Sequence, residues 1–202
     1  MRRAVHGGHR VLTARLLLRP WDAADAAPLT RAVIASLPEL WPWMPWAREW
    51  PAEPSAVEER LMGFAAAFEE GRDWMYGIFD PADGSVLGGT GLHPRVGPDA
   101  IEIGYWIRTD VTRRGYATEA AAALTRVAFE LHEVDHVEIR CDEWNDASAR
   151  VPERLGYRRV ATIDSPLKTP EGATQRRHVW SLDRKGYAAS LPARAKIEIR
   201  EE

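Results

Sequence analysis

The densest chemistry in the chain lies between Ile101 and Ala120, in IEIGYWIRTDVTRRGYATEA. An alternating apolar run gives way to a short basic loop, and Gly115 then opens a helical pattern directly. A strand-loop-helix junction of this kind aims successive backbone N–H groups, and the positive end of the helix dipole, at one point. Its natural ligand is a pyrophosphate. Gly115 lets a phosphate approach the backbone, Ala117 is small for the same reason, and Arg113 and Arg114 add positive charge. The competing reading is a plain glycine turn with a solvated arginine rim. Neither GxxxxGK[ST] nor GxGxxG occurs, so a nucleoside triphosphate or NAD has no motif here.

Other reactive side chains flank this segment. Glu102 lies two residues before Gly104, on the strand face opposite Ile101 and Ile103, where a cross-strand ion pair with an arginine is one use for it. His93 ends the preceding strand, and an unperturbed imidazole is mostly neutral at pH 7 and so able to take a proton. His132 to His136 spells HEVDH, the zinc pattern in which two histidines one helical turn apart bind metal. That pattern needs a continuous helix, whereas Val137, Ile139 and Cys141 begin strand alternation at once, so no metal site is expected. Cys141 has no motif partner and reads as a buried, inert thiol.

These groups must be held by a mixed set of elements. Val11 to Arg19 reads as a strand, Asp22 or Asp25 as the cap of a helix running to about Ala35, and Ser55 with Glu58 as a capping box opening a helix that ends at Gly71. Trp74 to Phe79, Val86 to His93 and Ala100 to Arg108 form an antiparallel meander, punctuated by Pro81, Asp83 and Gly84 and then by Pro94, Gly97 and Pro98. A helix from Thr118 carries Ala120, Leu124, Val127, Ala128 and Leu131 on one stripe. His136 to Cys141 is a strand, Ala147 to Leu155 a short helix, and Tyr157 to Ile163 and Arg177 to Leu182 close the sheet. Strand, helix, strand at this crossover length implies one parallel pair in an otherwise antiparallel sheet.

Composition bounds the rest. The 202 residues suffice for one domain, placed at residues 10 to 184 with terminal extensions 1 to 9 and 185 to 202. A formal charge of −3 gives no global positive field, so no nucleic-acid partner is expected. No stretch approaches the ~20 apolar residues that a membrane span needs, and the start MRRAVHGGHR lacks a signal peptide's apolar run. With its single cysteine, the chain reads as cytoplasmic with no membrane partner. Four of the nine tryptophans, Trp41, Trp43, Trp46 and Trp50, crowd the segment LWPWMPWAREWP. On a proline-stiffened loop such rings are core, a homodimer contact, or a preorganised surface for stacking on a ligand.

Four segments in this order resemble the GNAT acyltransferases, and among them the branch like RimJ and RimL: TARLLLRP, GYWIRTDVTRRGYATEA, EIRCDEWNDASARVPERLGY and HVWSL. The family's pyrophosphate signature is Gln/Arg, x, x, Gly, x, Gly/Ala; Gly115 and Ala117 match it, while Thr112 departs from it. The resemblance implies a mixed α/β fold, a mostly antiparallel seven-stranded sheet splayed between its fourth and fifth strands and flanked by helices. It implies acetyl-CoA as cosubstrate, its pyrophosphate on Thr112, Arg113, Arg114, Gly115, Tyr116, Ala117 and Thr118 and its pantetheine beside Trp106, Ile107 and Arg108. Asn145 would bind the pantetheine arm and Ser148 would sit near the thioester sulfur, although asparagine also caps helices.

Glu102 resembles the family's general base, with His93 as a second candidate. The position where the family frequently carries an acidic tyrosine is Pro152, leaving Ser148 or an unprotonated thiolate. Trp43 and Trp46 would line the acceptor side. The implied reaction is attack of a primary amine on the thioester without a metal, on a protein N-terminus or on a small-molecule or antibiotic amine. A non-catalytic acyl-CoA sensor is the reading from another class.

Overall fold

The computed structural model describes residues 9–201 apart from 133, 169–171 and 173. In chain order the first half comprises β1 (His9–Leu12), β2 (Leu17–Pro20), α1 (Ala26–Ile34), α2 (Leu37–Leu40), α3 (Pro54–Glu69), β3 (Trp74–Phe79), β4 (Val86–His93) and β5 (Ala100–Ile107). The second half adds α4 (Tyr116–Leu131), β6 (His136–Asp142), α5 (Asp146–Arg154), β7 (Arg158–Lys168), β8 (Thr174–Asp183), α6 (Arg184–Ala189) and β9 (Glu198–Glu201). One sheet runs β7-β8-β6-β5-β4-β3-β2-β1-β9.

The described sheet has nine strands where seven were expected, and each extra strand has an identifiable cause. The run Val11 to Arg19 is two strands, because Thr13 N–H donates to the Leu16 carbonyl (2.9 Å) and reverses the chain, so that Val11 faces Leu18. The segment after residue 184, read as an extension, returns as β9 and pairs antiparallel with β1 from His9↔Glu201 to Leu12↔Glu198. The helix starts differ too. Pro54 occupies the first turn of α3 behind Glu53, with no side-chain cap, so the Ser55 capping box does not form. Asp22 does cap, accepting from Ala24 N–H (2.8 Å), but it opens a 3-10 turn ahead of α1. The tryptophan segment holds the short α2 and a 3-10 turn at Pro45–Glu49.

Alternation along the strands divides the apolar residues into two cores. On one face Leu16, Tyr76, Ile103 and Ile139 pack under α4 with Leu124. On the other, Trp21, Leu29, Val57, Leu61 and Phe79 join α1 and α3 to the sheet. β5 and β6 are the parallel pair, in register from Ala100↔His136 to Ile103↔Ile139. Beyond that point β5 pairs only with β4 and β6 only with β8. The sheet therefore splays after Ile103, leaving one edge of Gly104–Ile107 facing a gap with its backbone groups unsatisfied by the sheet.

Candidate active site

The loop that leaves the splayed end of β5 builds the cradle. A 3-10 turn at Thr109–Val111 is tied to the α1–α2 junction, Ser36 Oγ accepting from Thr109 N–H (3.1 Å). The backbone then turns left-handed at Arg113 (φ 62°) and at Gly115 (φ 85°), which caps α4. A non-glycine residue in that region costs roughly 1 kcal/mol or more and persists where the surroundings impose it. The first helical hydrogen bond is Glu119 N–H to the Gly115 carbonyl (3.0 Å), so the amides from Arg113 to Thr118 precede the ladder and have no described backbone acceptor. Thr112 Oγ1 donates to the Thr109 carbonyl (2.9 Å), and Arg108 is occupied by Asp110 and the Val86 carbonyl.

Arg15, which sequence reasoning missed, steadies this loop from the β1–β2 turn. Its Nη1 donates to the Arg114 carbonyl (2.9 Å), its Nε donates to Glu119 (2.7 Å), and its guanidinium lies 5.0 Å from the centre of the Tyr116 ring. Thr13 Oγ1 also donates to Glu119 (2.6 Å). Glu119 is thereby neutralised at the helix start, where a phosphate-binding turn would not tolerate a free carboxylate.

Along β5 the side chains alternate between two environments. Tyr105 and Ile107 face α4 and α5; Glu102 and Trp106 face the side of α1 and α3. On the α5 side, Asn145 Oδ1 accepts from Ser148 N–H (3.0 Å), so the asparagine does cap its helix. The Tyr105 hydroxyl donates to the Ser148 carbonyl (3.0 Å) and lies 3.2 Å from Ser148 Oγ. Burial pushes the Tyr105 phenol well above its ordinary range, so it is protonated at any working pH. Tyr105 was also missed, although its place one residue from Trp106 in the alternation was the available signal. Burial likewise raises the nearby Cys141 thiol, which is free and buried and so a poor nucleophile at neutral pH.

The opposite face carries the second cluster. His93 pairs across the strands with Glu102, and its Nδ1 is 2.7 Å from Asp73 Oδ1, which fixes Nδ1 as the donor. The ring's other side lies over Gly91 and Gly104: a Cβ on either would come within 2.9 or 3.3 Å of Nε2. No described group donates to Nε2, which lies over Gly104, the first residue past the parallel pairing. Asp73 gave no signal in the sequence, because its partner is a residue on another strand.

Glu102 is buried and takes a forked pair of hydrogen bonds from Arg95 (2.9 and 2.7 Å), with Arg140 at 3.9 Å. Burial alone would raise its carboxyl; the hydrogen bonds and charge of Arg95 outweigh it and leave the group below its ordinary range. An ion pair with an arginine does form, from the β4–β5 loop rather than from across a strand, and it makes Glu102 a weak base. Of the tryptophans, Trp50 is buried core and Trp41 is exposed, whereas half-buried Trp46 lies 5.7 Å from Trp106, centre to centre. Trp43 is half-buried without a described ring contact.

The two histidines of HEVDH do not share a helix. His132 caps the end of α4 against Trp74 (4.2 Å between centroids) and His136 begins β6. Glu133 lies outside the described residues.

A splayed mixed sheet with an amide cradle at the end of its central strand defines an acyltransferase of the GNAT class. The acetyltransferase (GNAT) domain family matches residues 15–158, and the chain belongs to that family. It is an N-acetyltransferase by that membership. Over 148 residues it is 30% identical to YdaF of Bacillus subtilis (strain 168), named as a ribosomal N-acetyltransferase, covering 72% of this chain and 77% of that one. Mycobacterium smegmatis RimJ, solved with CoA-disulfide, has the same fold, with a TM-score of 0.78 at 24% identity over 93% of this chain and 91% of that one. The ribosomal-protein-S5-alanine acetyltransferase of Vibrio fischeri superposes with a TM-score of 0.75 at 16% identity, covering 86% and 96%. Among the described residues no helix is long and apolar enough to cross a membrane.

Proposed function

We propose that this chain, acting through one domain, transfers an acetyl group from acetyl-coenzyme A to the primary amine of a protein N-terminus. The observation that carries the reading is an oriented imidazole, His93 on Asp73, over the first splayed residue of the strand that leads into the amide cradle. The protein acceptor is favoured by the relatives, whose names refer to ribosomal N-acetylation and to a ribosomal protein's alanine.

Bound coenzyme supplies an acetyl group activated as a thioester. The amides from Arg113 to Thr118, aided by Arg113 and Arg114, hold its diphosphate; Thr112 shapes the turn. Past the parallel pairing the edge of β5 beside Trp106, Ile107 and Arg108 offers the N–H groups that alternate away from β4, those of Tyr105 and Ile107, along the pantetheine path and toward the acyl oxygen, while the Arg108 N–H is held by the Leu87 carbonyl (2.8 Å). Asn145 orders the start of α5 and so places Ser148 with the Tyr105 hydroxyl beside the departing sulfur. Turning from the Ser148 carbonyl to which it donates (3.0 Å), the Tyr105 hydroxyl gives a hydrogen bond to the developing thiolate; full transfer is uphill, since a free thiol titrates near ~8.5. This fills the role that Pro152 leaves vacant.

His93 Nε2 takes the proton of the attacking amine, Asp73 holding the ring in the required tautomer. Glu102 serves as the ionic neighbour that anchors Arg95, and Trp46 with Trp43 walls the acceptor side. The test is release of coenzyme A from acetyl-CoA in the presence of N-terminal peptides. The wild-type chain is expected to turn over with free but not with N-blocked peptides. Turnover that ignores the blocked amine would overturn the reading.

A further inference from the structure

The face of the sheet that holds His93 and Glu102 continues across β6 and β8, beyond the strands that α1 and α3 cover. Its charged side chains there are largely matched. Glu102 receives the fork of Arg95. Glu138 receives Arg140 Nε (2.9 Å) and Nη2 (2.8 Å). Asp142 accepts the Trp144 N–H (2.9 Å). Arg177 differs. It stands opposite Asp142 on β8, half-buried, yet among the described residues its guanidinium has no ion pair and no hydrogen bond.

A half-buried cation with no hydrogen-bonded partner has lost part of its hydration, and only the more distant charges of Glu102 and Asp142 offset the loss. Burial also lowers its proton affinity, while the fields of Glu102, Arg95, Asp142 and Arg140 reach it from the same face. Arginine presents a planar fork of donors that matches a carboxylate. Arg140, bound to Glu138, adds a second positive charge beside the splay.

We propose that Arg177, with Arg140 beside it, is a carboxylate-binding subsite of the acceptor groove, so that the enzyme favours amines carrying a carboxylate at a set distance. The inference rests on the acetyltransferase reading above. Arg177 stands two strands across and four residues along from the level of His93 and Glu102, roughly 16 Å or more between backbones; the extended arginine and an acidic side chain cover about half of that, and two or three residues of extended acceptor the rest. The carboxylate is therefore an acidic side chain two or three residues past a protein N-terminus, or the terminal carboxylate of a small amine of that length.

C-terminally amidated peptides with Glu at positions 2 to 4, their Gln counterparts and Lys counterparts test the first source. 5-Aminovalerate against its amide tests the second. For the wild-type chain the KM of the Glu peptides, or of aminovalerate, should lie about 10-fold below that of the neutral partner, and the gap should narrow with added salt. Arg177→Gln should abolish the preference at unchanged coenzyme A affinity, and Arg177→Glu should shift it to the Lys peptides. Equal KM values for Glu and Gln peptides and for both small amines in the wild-type chain, or a preference that survives Arg177→Gln, would overturn the subsite alone. Absence of turnover with every amine would overturn the acetyltransferase-on-amine reading and the subsite with it.

Discussion

The two sides of the splay at β5 are built by different means. On the function proposed above, the donor side is mostly backbone: amides from Arg113 to Thr118, left-handed turns at Arg113 and Gly115, and an unpaired strand edge, all within one stretch of chain. The acceptor side, so proposed, is mostly side chains drawn from separate elements: Asp73 before β3, His93 on β4, Glu102 and Trp106 on β5, Arg140 on β6, Arg177 on β8 and Trp46 from the loop after α2. A backbone cradle binds a constant group and tolerates change in side chain. A constellation of side chains can be re-aimed residue by residue, which suits the half of the reaction that differs between substrates.

The sharpest way to break this contrast is His93→Ala. Losing a positioned general base should lower kcat by about 10²- to 10⁴-fold while coenzyme A affinity, measured by calorimetry, stays as in the parent. A small loss would return the base to Glu102 or to water. Gly115→Val attacks the other side. A β-branched residue at φ 85° carries a strain of about 1–2 kcal/mol, so coenzyme A binding should weaken by about 10-fold or more. Acceptor KM, measured at saturating coenzyme, should hardly move; if it moves as much as coenzyme affinity, the two sides are not separable.

Trp46→Ala is expected to act in the opposite sense, and more gently. An aromatic pair contributes about 0.5–1.5 kcal/mol, so acceptor KM should rise by roughly 2- to 10-fold with coenzyme affinity unchanged. A fall in coenzyme binding instead would make the Trp46–Trp106 contact a support for β5. Glu102→Gln should have the smallest effect, on stability rather than turnover. The folded Glu102 carboxyl lies below its ordinary value, so its ion pair stabilises fully above the unfolded pKa and the contribution fades as pH falls through the folded one. The variant should lose about 1 kcal/mol at pH 7, with a shallower decline from pH 5 to pH 3 in denaturant midpoints, because Arg95 is exposed enough to regain water. An acid limb as steep as the parent's would assign that limb to other carboxylates.

Legibility in the sequence followed the same division. The meander from Trp74 to Ile107, the crossover helix and the cradle at Gly115 were readable because each is specified by neighbours: alternation, turn residues, a helical stripe, a glycine before a helix. The parallel pair followed from connection length alone. What was misread has nonlocal causes. The turn at Thr13 is held partly by Glu119, and β9 exists because β1 offers it an edge. Asn145 was legible as the cap of its helix, which is the contact that forms.

The sequence by itself determined the meander, the crossover helix with its parallel pair and the glycine turn that opens α4, since periodicity, turn chemistry and connection length act within a short stretch of chain. Only the tertiary structure decided which base is free. Glu102 and His93 face each other on adjacent strands, but Arg95 captures the carboxylate and Asp73 orients the imidazole, and both choices depend on distances that no local pattern encodes. The same holds for Arg177: arginine is the commonest charged residue in this chain, and only packing shows that, among the described residues on this face of the sheet, its guanidinium lacks an ion pair.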